Sequence, residues 1–170
     1  MAANKCVFLD RDGVINKDYV DYVYDEEKLE ILPGVVGGLQ QLKAAGYLLI
    51  IITNQSGIAK EIYTREQMHE THRLIQEACG HIIDHIYYAP WHPSVSESLT
   101  RKPDSLMLER AMARYKVNPA ISWMVGDKHT DMVPARKVGL KTIQVDNSDS
   151  AKADYRAKDL PDAISNIILA

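Results

Sequence analysis

Short apolar runs alternate along the chain with amphipathic stretches of helical period. Cys6 to Leu9 is apolar throughout, and Tyr47 to Thr53 (YLLIIIT) carries apolar residues at odd and even positions alike. That is the pattern of central strands buried on both faces of a parallel sheet. Ile86 to Tyr88, Ser122 to Val125 and Thr142 to Val145 give three more short strands, each bounded by turn or polar residues. Between the strands, Val35, Leu39 and Leu42 recur at helical spacing from Pro33-Gly34 to a terminating Gly46. Thr64 with Gln67 forms a capping box that opens a second helix, with Met68, His72, Ile75 and Cys79 on its inner face. A third follows Pro103 with the stripe Leu108, Ala111, Met112 and Tyr115, and Asp131 to Val138 and Asp162 to Leu169 supply the last two. Strands and helices alternating at these lengths predict an α/β fold, a doubly wound, mainly parallel sheet of five to six strands with right-handed crossovers. No repeat, low-complexity tract or linker interrupts the 170 residues, so one domain over 1–170 is expected. The irregular stretches 13–32 and 89–100 are long enough to suggest functional loops.

A hydrophobic fraction of 46%, 25% charged residues and a net charge of −3 describe a soluble globular chain without the broad basic field a nucleic-acid backbone requires. Nucleic acid is therefore not an expected partner. Cys6 and Cys79 sit in apolar contexts without metal-type spacing, which predicts buried free thiols and a reducing cytoplasm. The start of the chain lacks a cationic segment followed by an apolar one, and no apolar run approaches about 18 residues, so neither secretion nor membrane insertion is expected. No long exposed apolar stripe demands a second copy, and a monomer is expected.

Four fragments carry the chemistry: Asp10-Arg11-Asp12-Gly13, Thr53-Asn54-Gln55-Ser56, Arg101-Lys102-Pro103, and Gly126-Asp127-Lys128 with Asp131. Each lies at or near the end of a predicted strand, where the loops of an open α/β sheet converge on a ligand. Taken singly they are ordinary: Asp-Gly after a strand is a turn, Lys102 before proline is a solvated helix start, and Asp127 or Asp131 caps a helix. Their conjunction in this order points instead to phosphoryl transfer. Two carboxylates two residues apart can divide the labour, one attacking phosphorus and the other handling protons. An anionic nucleophile meeting an anionic ester needs a hard divalent cation between them, for which Asp127 is a further ligand and Asp131 a support, bound directly or at one remove. Thr53 and Lys102 are suited to stabilising the equatorial oxygens of the transition state.

These four fragments resemble the signature motifs of the haloacid dehalogenase (HAD) superfamily of phosphohydrolases. The resemblance runs from Val7 to about Val145. It is strongest to the small, capless histidinol-phosphate and heptose-bisphosphate phosphatase branch, and Thr53 to Ala59 (TNQSGIA) favours the heptose side through Ser56. The resemblance implies a magnesium-dependent phosphatase that hydrolyses D-glycero-D-manno-heptose 1,7-bisphosphate to the 1-phosphate, with histidinol phosphate as the alternative substrate. It further implies an aspartyl phosphate at Asp10, Asp12 as acid and then base, and Thr53 and Lys102 on the phosphoryl group. Magnesium would be held by Asp10, Asp127 and the backbone carbonyl of Asp12, with Asp131 nearby. Asp18, Tyr19, Val20, Asp21, Asn54, Gln55, Ser56, Arg101 and Lys128 would contact the rest of the substrate.

One departure stands out. Relatives often fold the loop before Arg-Lys-Pro around zinc, but the four ligand positions here read Ala89, Trp91, Ser98 and Thr100, so no structural zinc is expected. The loop should then be held by packing, with Trp91 inserted against the domain. Histidines 69, 72, 81, 85 and 129 are scattered and form no expected base or metal cluster. Two other classes were weighed. A receiver module also phosphorylates an aspartate beside magnesium, but it separates its acids from the phosphoacceptor on different strands. A noncatalytic binding protein on the same scaffold would ordinarily have lost a carboxylate or the lysine, and all are present.

Overall fold

A computed structural model describes residues 3–19, 21–146 and 152–170. Six parallel strands form one sheet in the order β3-β2-β1-β4-β5-β6, where β1 is Cys6–Leu9, β2 Leu48–Asn54, β3 His85–Ala89, β4 Trp123–Gly126, β5 Lys141–Val145 and β6 Tyr155–Ala157. The chain leaves β1 to build β2 and β3 on one side, then crosses to place β4 and β5 on the other. The sheet therefore reverses its winding beside β1, and the crevice at the carboxyl ends of the strands opens there.

The helices are α1 (Val35–Ala44), α2 (Arg65–Ala78), α3 (Leu106–Tyr115), α4 (His129–Lys137) and a short α5 (Leu160–Ala163) that continues as one π-type turn over Ile164–Ile168. Because successive strand side chains point to opposite faces, β1 serves two cores. Val7 and Leu9 pack with Leu39, Leu42, Ile75 and Ile164 on the face of α1, α2 and α5, and Cys6 and Phe8 pack with Ile50, Leu108 and Ala111 on the face of α3. The isoleucines of β2 are buried at every position from 50 to 52 for the same reason. The capping box expected at Thr64 is present, with its hydroxyl accepting from Gln67 N at 3.2 Å and Gln67 Oε1 accepting from Thr64 N at 2.9 Å. Such a cap contributes about 1 kcal/mol.

Two boundaries depart from expectation. Strand β6 went unread because two of its three residues, Tyr155 and Arg156, are exposed and the segment pairs along one edge only, so it lacks a buried strand's apolar run. The last helix starts at Leu160 rather than Asp162, since Asp159 caps it by accepting from Asp162 N at 2.9 Å and Pro161 fits the first turn. Cys6 and Cys79 are free and buried. Among the described residues, no helix is long and apolar enough to cross a membrane.

Candidate active site

Beyond the end of β1 lies a cavity of about 530 Å³, lined by Asp10, Asp12, Thr53, Lys102 and Lys128 together with the loop residues Asp18 to Val23 that the structure describes. Its floor is ionic. Lys102 Nζ donates to Asp10 Oδ1 at 2.8 Å, to Asp131 Oδ1 at 2.5 Å and to the Ile52 carbonyl at 2.8 Å, which uses all three of its protons. Burial disfavours the ammonium, but Asp10 and Asp131 outweigh it and push the Lys102 pKa above its ordinary value. Burial, reinforced by the neighbouring Asp131, drives the Asp10 carboxyl well above the usual carboxylate range despite Lys102. Asp127 is pushed up to about 6, chiefly by burial, with Lys128 opposing and Asp131 adding to the rise.

Asp10, Asp127 and Asp131 each offer an oxygen within 4.8 Å of the others. Two glycines permit this approach. A side chain at Gly126 would meet Asp131 at 2.3 Å, and one at Gly13, whose φ is +86°, would meet Asp127 Oδ2 at 2.5 Å. Asp131 sits in the first turn of α4, where its other oxygen caps Lys128 N at 3.2 Å. The ordinary capping role and the site role are thus carried by one side chain. Three buried carboxylates face one buried ammonium, and Asp127 Oδ1 is buried without a hydrogen-bond partner. That deficit of positive charge, lined by oxygen donors, fits a hard divalent cation such as Mg²⁺.

The side chain of Asp12 faces elsewhere. Arg11 grips it through Nε and Nη2 at 3.1 and 2.9 Å, Asn16 Nδ2 donates at 3.0 Å and Gln55 Nε2 at 3.3 Å. Burial works against ionisation here, but Arg11 and the other donors overcome it and hold the Asp12 carboxyl below its usual range. The Asp12 carboxylate is not part of the cluster of Asp10, Asp127 and Asp131. Arg11 itself, only 1% exposed, also donates to the Val23 carbonyl at 2.8 Å. It was not singled out from sequence, although an arginine between two acids ahead of a buried turn was a usable signal.

The remaining expected residues fall into two sets. Gln55 lies in the cavity wall and donates to Thr53 Oγ1 at 2.9 Å. Asn54 spends its amide on the main chain of Lys102, donating to its carbonyl and accepting from its N–H, both at 3.0 Å. Asp18 pairs with Lys128 at 2.7 Å, and Asp18, Tyr19, Asp21 and Arg101 line the cavity. Ser56 lies outside the lining. Val20 falls outside the described residues. Tyr22 and Val23 line the cavity from within the 13–32 stretch expected to be functional, and Thr130 lines it without having been expected to.

The loop over 89–100 is not held as the sequence suggested. Trp91 is not inserted but 38% exposed, and Val95 and Leu99 are more so. Hydrogen bonds hold the segment instead: Arg101 Nη1 donates to the Trp91 carbonyl at 3.1 Å, Ala59 N to the Pro90 carbonyl at 3.1 Å, and Ser98 pairs with Thr100 at 2.7 Å.

Comparison with known proteins identifies the family of the chain. A HAD-hydrolase-like family model matches residues 99–169. A Haemophilus ducreyi protein named D-glycero-beta-D-manno-heptose-1,7-bisphosphate 7-phosphatase is 37% identical over 81% of this chain and 80% of its own length. The chain belongs to the HAD-like phosphatase family and is a phosphoric monoester hydrolase. A Photorhabdus laumondii protein of the same name is 35% identical over 95% of both chains. Among solved structures, the D,D-heptose 1,7-bisphosphate phosphatase of B. bronchiseptica, complexed with magnesium and phosphate, superposes with a TM-score of 0.84 at 25% identity, covering 94% of this chain and 96% of that one.

Proposed function

We propose that this enzyme is a magnesium-dependent sugar bisphosphate phosphatase acting on D-glycero-D-manno-heptose 1,7-bisphosphate to release the 7-phosphate, through an aspartyl phosphate at Asp10. The observation that carries the reading is the floor of the cavity, where Asp10, Asp127 and Asp131 gather around Lys102 and an unpartnered Asp127 oxygen. The relatives named for this reaction support the substrate, as does a cavity of about 530 Å³, large enough for a phosphorylated sugar. Asp10, Asp127 and the Asp12 carbonyl would hold Mg²⁺, with Asp131 bound directly or at one remove, and the ion would neutralise the repulsion between carboxylate and phosphoryl oxygens.

The chain's own residues divide the rest. An Asp10 oxygen attacks phosphorus while the bond from phosphorus to the sugar oxygen breaks, and Asp12 delivers a proton to that oxygen. Asp12 then takes a proton from water, whose oxygen attacks phosphorus, and the carboxylate of Asp10 departs as inorganic phosphate forms. The Arg11 fork favours the ionised Asp12 that the second step needs. For the first step, a phosphoryl dianion beside Asp12 adds like charge, which raises the carboxyl's proton affinity. Lys102, through its charge, and Thr53 Oγ1 stabilise the transferred phosphoryl group, and Arg101, with Asp18, Tyr19, Asp21 and Lys128, contacts the sugar and its second phosphate. The two free, buried cysteines suit work in the cytoplasm as a monomer.

The test is phosphate release with Mg²⁺ over a panel of sugar mono- and bisphosphates and histidinol phosphate. Preferred turnover of the heptose bisphosphate is expected. Preference for histidinol phosphate would overturn the substrate and leave the chemistry standing.

A further inference from the structure

Tyr63 lines no part of the cavity, yet it joins the loop over the site to the side chain assigned to proton transfer. Its hydroxyl donates to Gln55 Oε1 at 2.6 Å, and the Gln55 amide nitrogen donates to Asp12 Oδ2 at 3.3 Å and to Thr53 Oγ1 at 2.9 Å. On its other side the ring stacks on Tyr24 with centroids 5.1 Å apart and tilts against Tyr22 at 5.6 Å. The ring is seated over Gly57, where any side chain would come within 2.1 Å of it, and Tyr63 is only 4% exposed.

An amide can turn over at small steric cost, exchanging its oxygen and nitrogen. Were Gln55 reversed, its oxygen would face the Asp12 carboxylate and repel it, and Thr53 would lose its donor. A phenol hydroxyl aimed at the Gln55 oxygen rewards the productive orientation. We propose that Tyr63 is a positioning residue, whose hydroxyl locks the Gln55 amide so that Asp12 is held in reacting geometry, and whose ring ties that lock to the loop carrying Tyr22 and Tyr24. The inference rests on Asp12 being the proton carrier, as assigned above.

The ring and the hydroxyl can be separated by Tyr63→Phe, which keeps the aromatic stack. The heptose bisphosphate needs its leaving oxygen protonated, whereas p-nitrophenyl phosphate releases a phenolate that does not, so the two esters report on the proton step. With Mg²⁺ and saturating ester, Tyr63→Phe is expected to slow first-turnover release of the leaving group, followed by rapid quench before the aspartyl phosphate is hydrolysed, roughly tenfold on the heptose bisphosphate and less than about twofold on p-nitrophenyl phosphate, with KM on the sugar within about twofold of the parent. The same substitution made on a Gln55→Leu background is expected to cost almost nothing more, because both changes break one chain of contacts. Equal losses on the two esters, no loss on either, or additive losses in the double variant would overturn the proposal. Asp12→Asn in the same assay separates the two assignments. If it does not discriminate between the esters, the role of Asp12 falls; if it discriminates and Tyr63→Phe does not, only the role of Tyr63 falls.

Discussion

At the floor of the cavity, Lys102, Asp10, Asp127 and Asp131 are buried and hold one another through short ionic contacts, with Asn54 fixing the main chain of Lys102. On the neighbouring loop that Arg101 tethers at the rim, Trp91, Val95 and Leu99 face solvent and line no part of the cavity, and the loop is tied by a few backbone and hydroxyl contacts. Asp10 follows β1, Asp127 lies just past β4, Asp131 lies in the first turn of α4, and Lys102, on the loop ahead of α3 rather than at a strand end, is fixed by Asn54 of β2, so these groups cannot move without disturbing packing. The rim stands on segments without a core of their own. The reacting chemistry is thus assigned to the rigid region, and the selection of a particular sugar to the adaptable one.

The sharpest break in that comparison is Asp10→Asn. Turnover should fall by about 10³-fold or more while the melting temperature is kept, because a neutral amide cannot attack phosphorus yet still fills the space and accepts from Lys102. Assay of phosphate release beside a thermal melt checks both halves. Next comes Lys102→Ala, which removes the cation between two buried carboxylates. A loss of about 3–5 kcal/mol in chelator-treated protein is expected in denaturant unfolding, with turnover abolished and stability partly regained on adding Mg²⁺. A smaller cost, about 1–3 kcal/mol, is expected for Gly126→Ala, because the new methyl group must displace Asp131 from 2.3 Å.

Rim substitutions should invert the pattern. Trp91→Ala should change stability by less than about 0.5 kcal/mol, since its side chain is already 38% exposed. Arg101→Ala should raise KM for a bisphosphate more than for a monophosphate while leaving the fold intact. A Trp91→Ala loss as large as that of Gly126→Ala would erase the distinction between the two regions.

A further effect depends on pH. Burial, with Arg11 adding to it, pulls the His72 pKa from 6.5 down to about 3. The unfolded chain therefore binds the proton that the folded one refuses, and stability falls as pH drops from about 6.5 towards 3. In urea titrations over that window, His72→Phe should give a shallower decline than the parent chain. A parallel decline would show that His72 takes up its proton in the folded state.

The floor was legible in sequence because strand ends and short motifs specify it locally. Asp10, Thr53 and Asp127 each sit at or just past the end of an apolar run whose burial decides where the side chain goes, whereas Lys102, well past β3, was legible only through its Arg-Lys-Pro motif. The positions expected for five strands and for the capping box at Thr64 follow from the same local patterning. The rim was not legible in this way. Whether Trp91 packs inward depends on turn geometry around His92 and Pro93, and the apolar character of an indole says nothing about that. Arg11 and Tyr63 were missed for a different reason: their partners, Val23 and Gln55, lie 12 and 8 residues away and meet them only through tertiary folding. Strand β6 escaped because an edge strand with two exposed side chains carries no periodic signal.

The central claim is that Asp10 becomes phosphorylated during turnover. It is tested most directly by mixing the enzyme and Mg²⁺ with a sugar bisphosphate labelled in the phosphate to be released, quenching in acid within one turnover, and mapping the labelled peptide. Label on the peptide bearing Asp10 is expected, accumulating further in Asp12→Asn, where water is no longer activated. Label on another residue, or phosphate released with no labelled protein in either the parent or Asp12→Asn, would contradict the account.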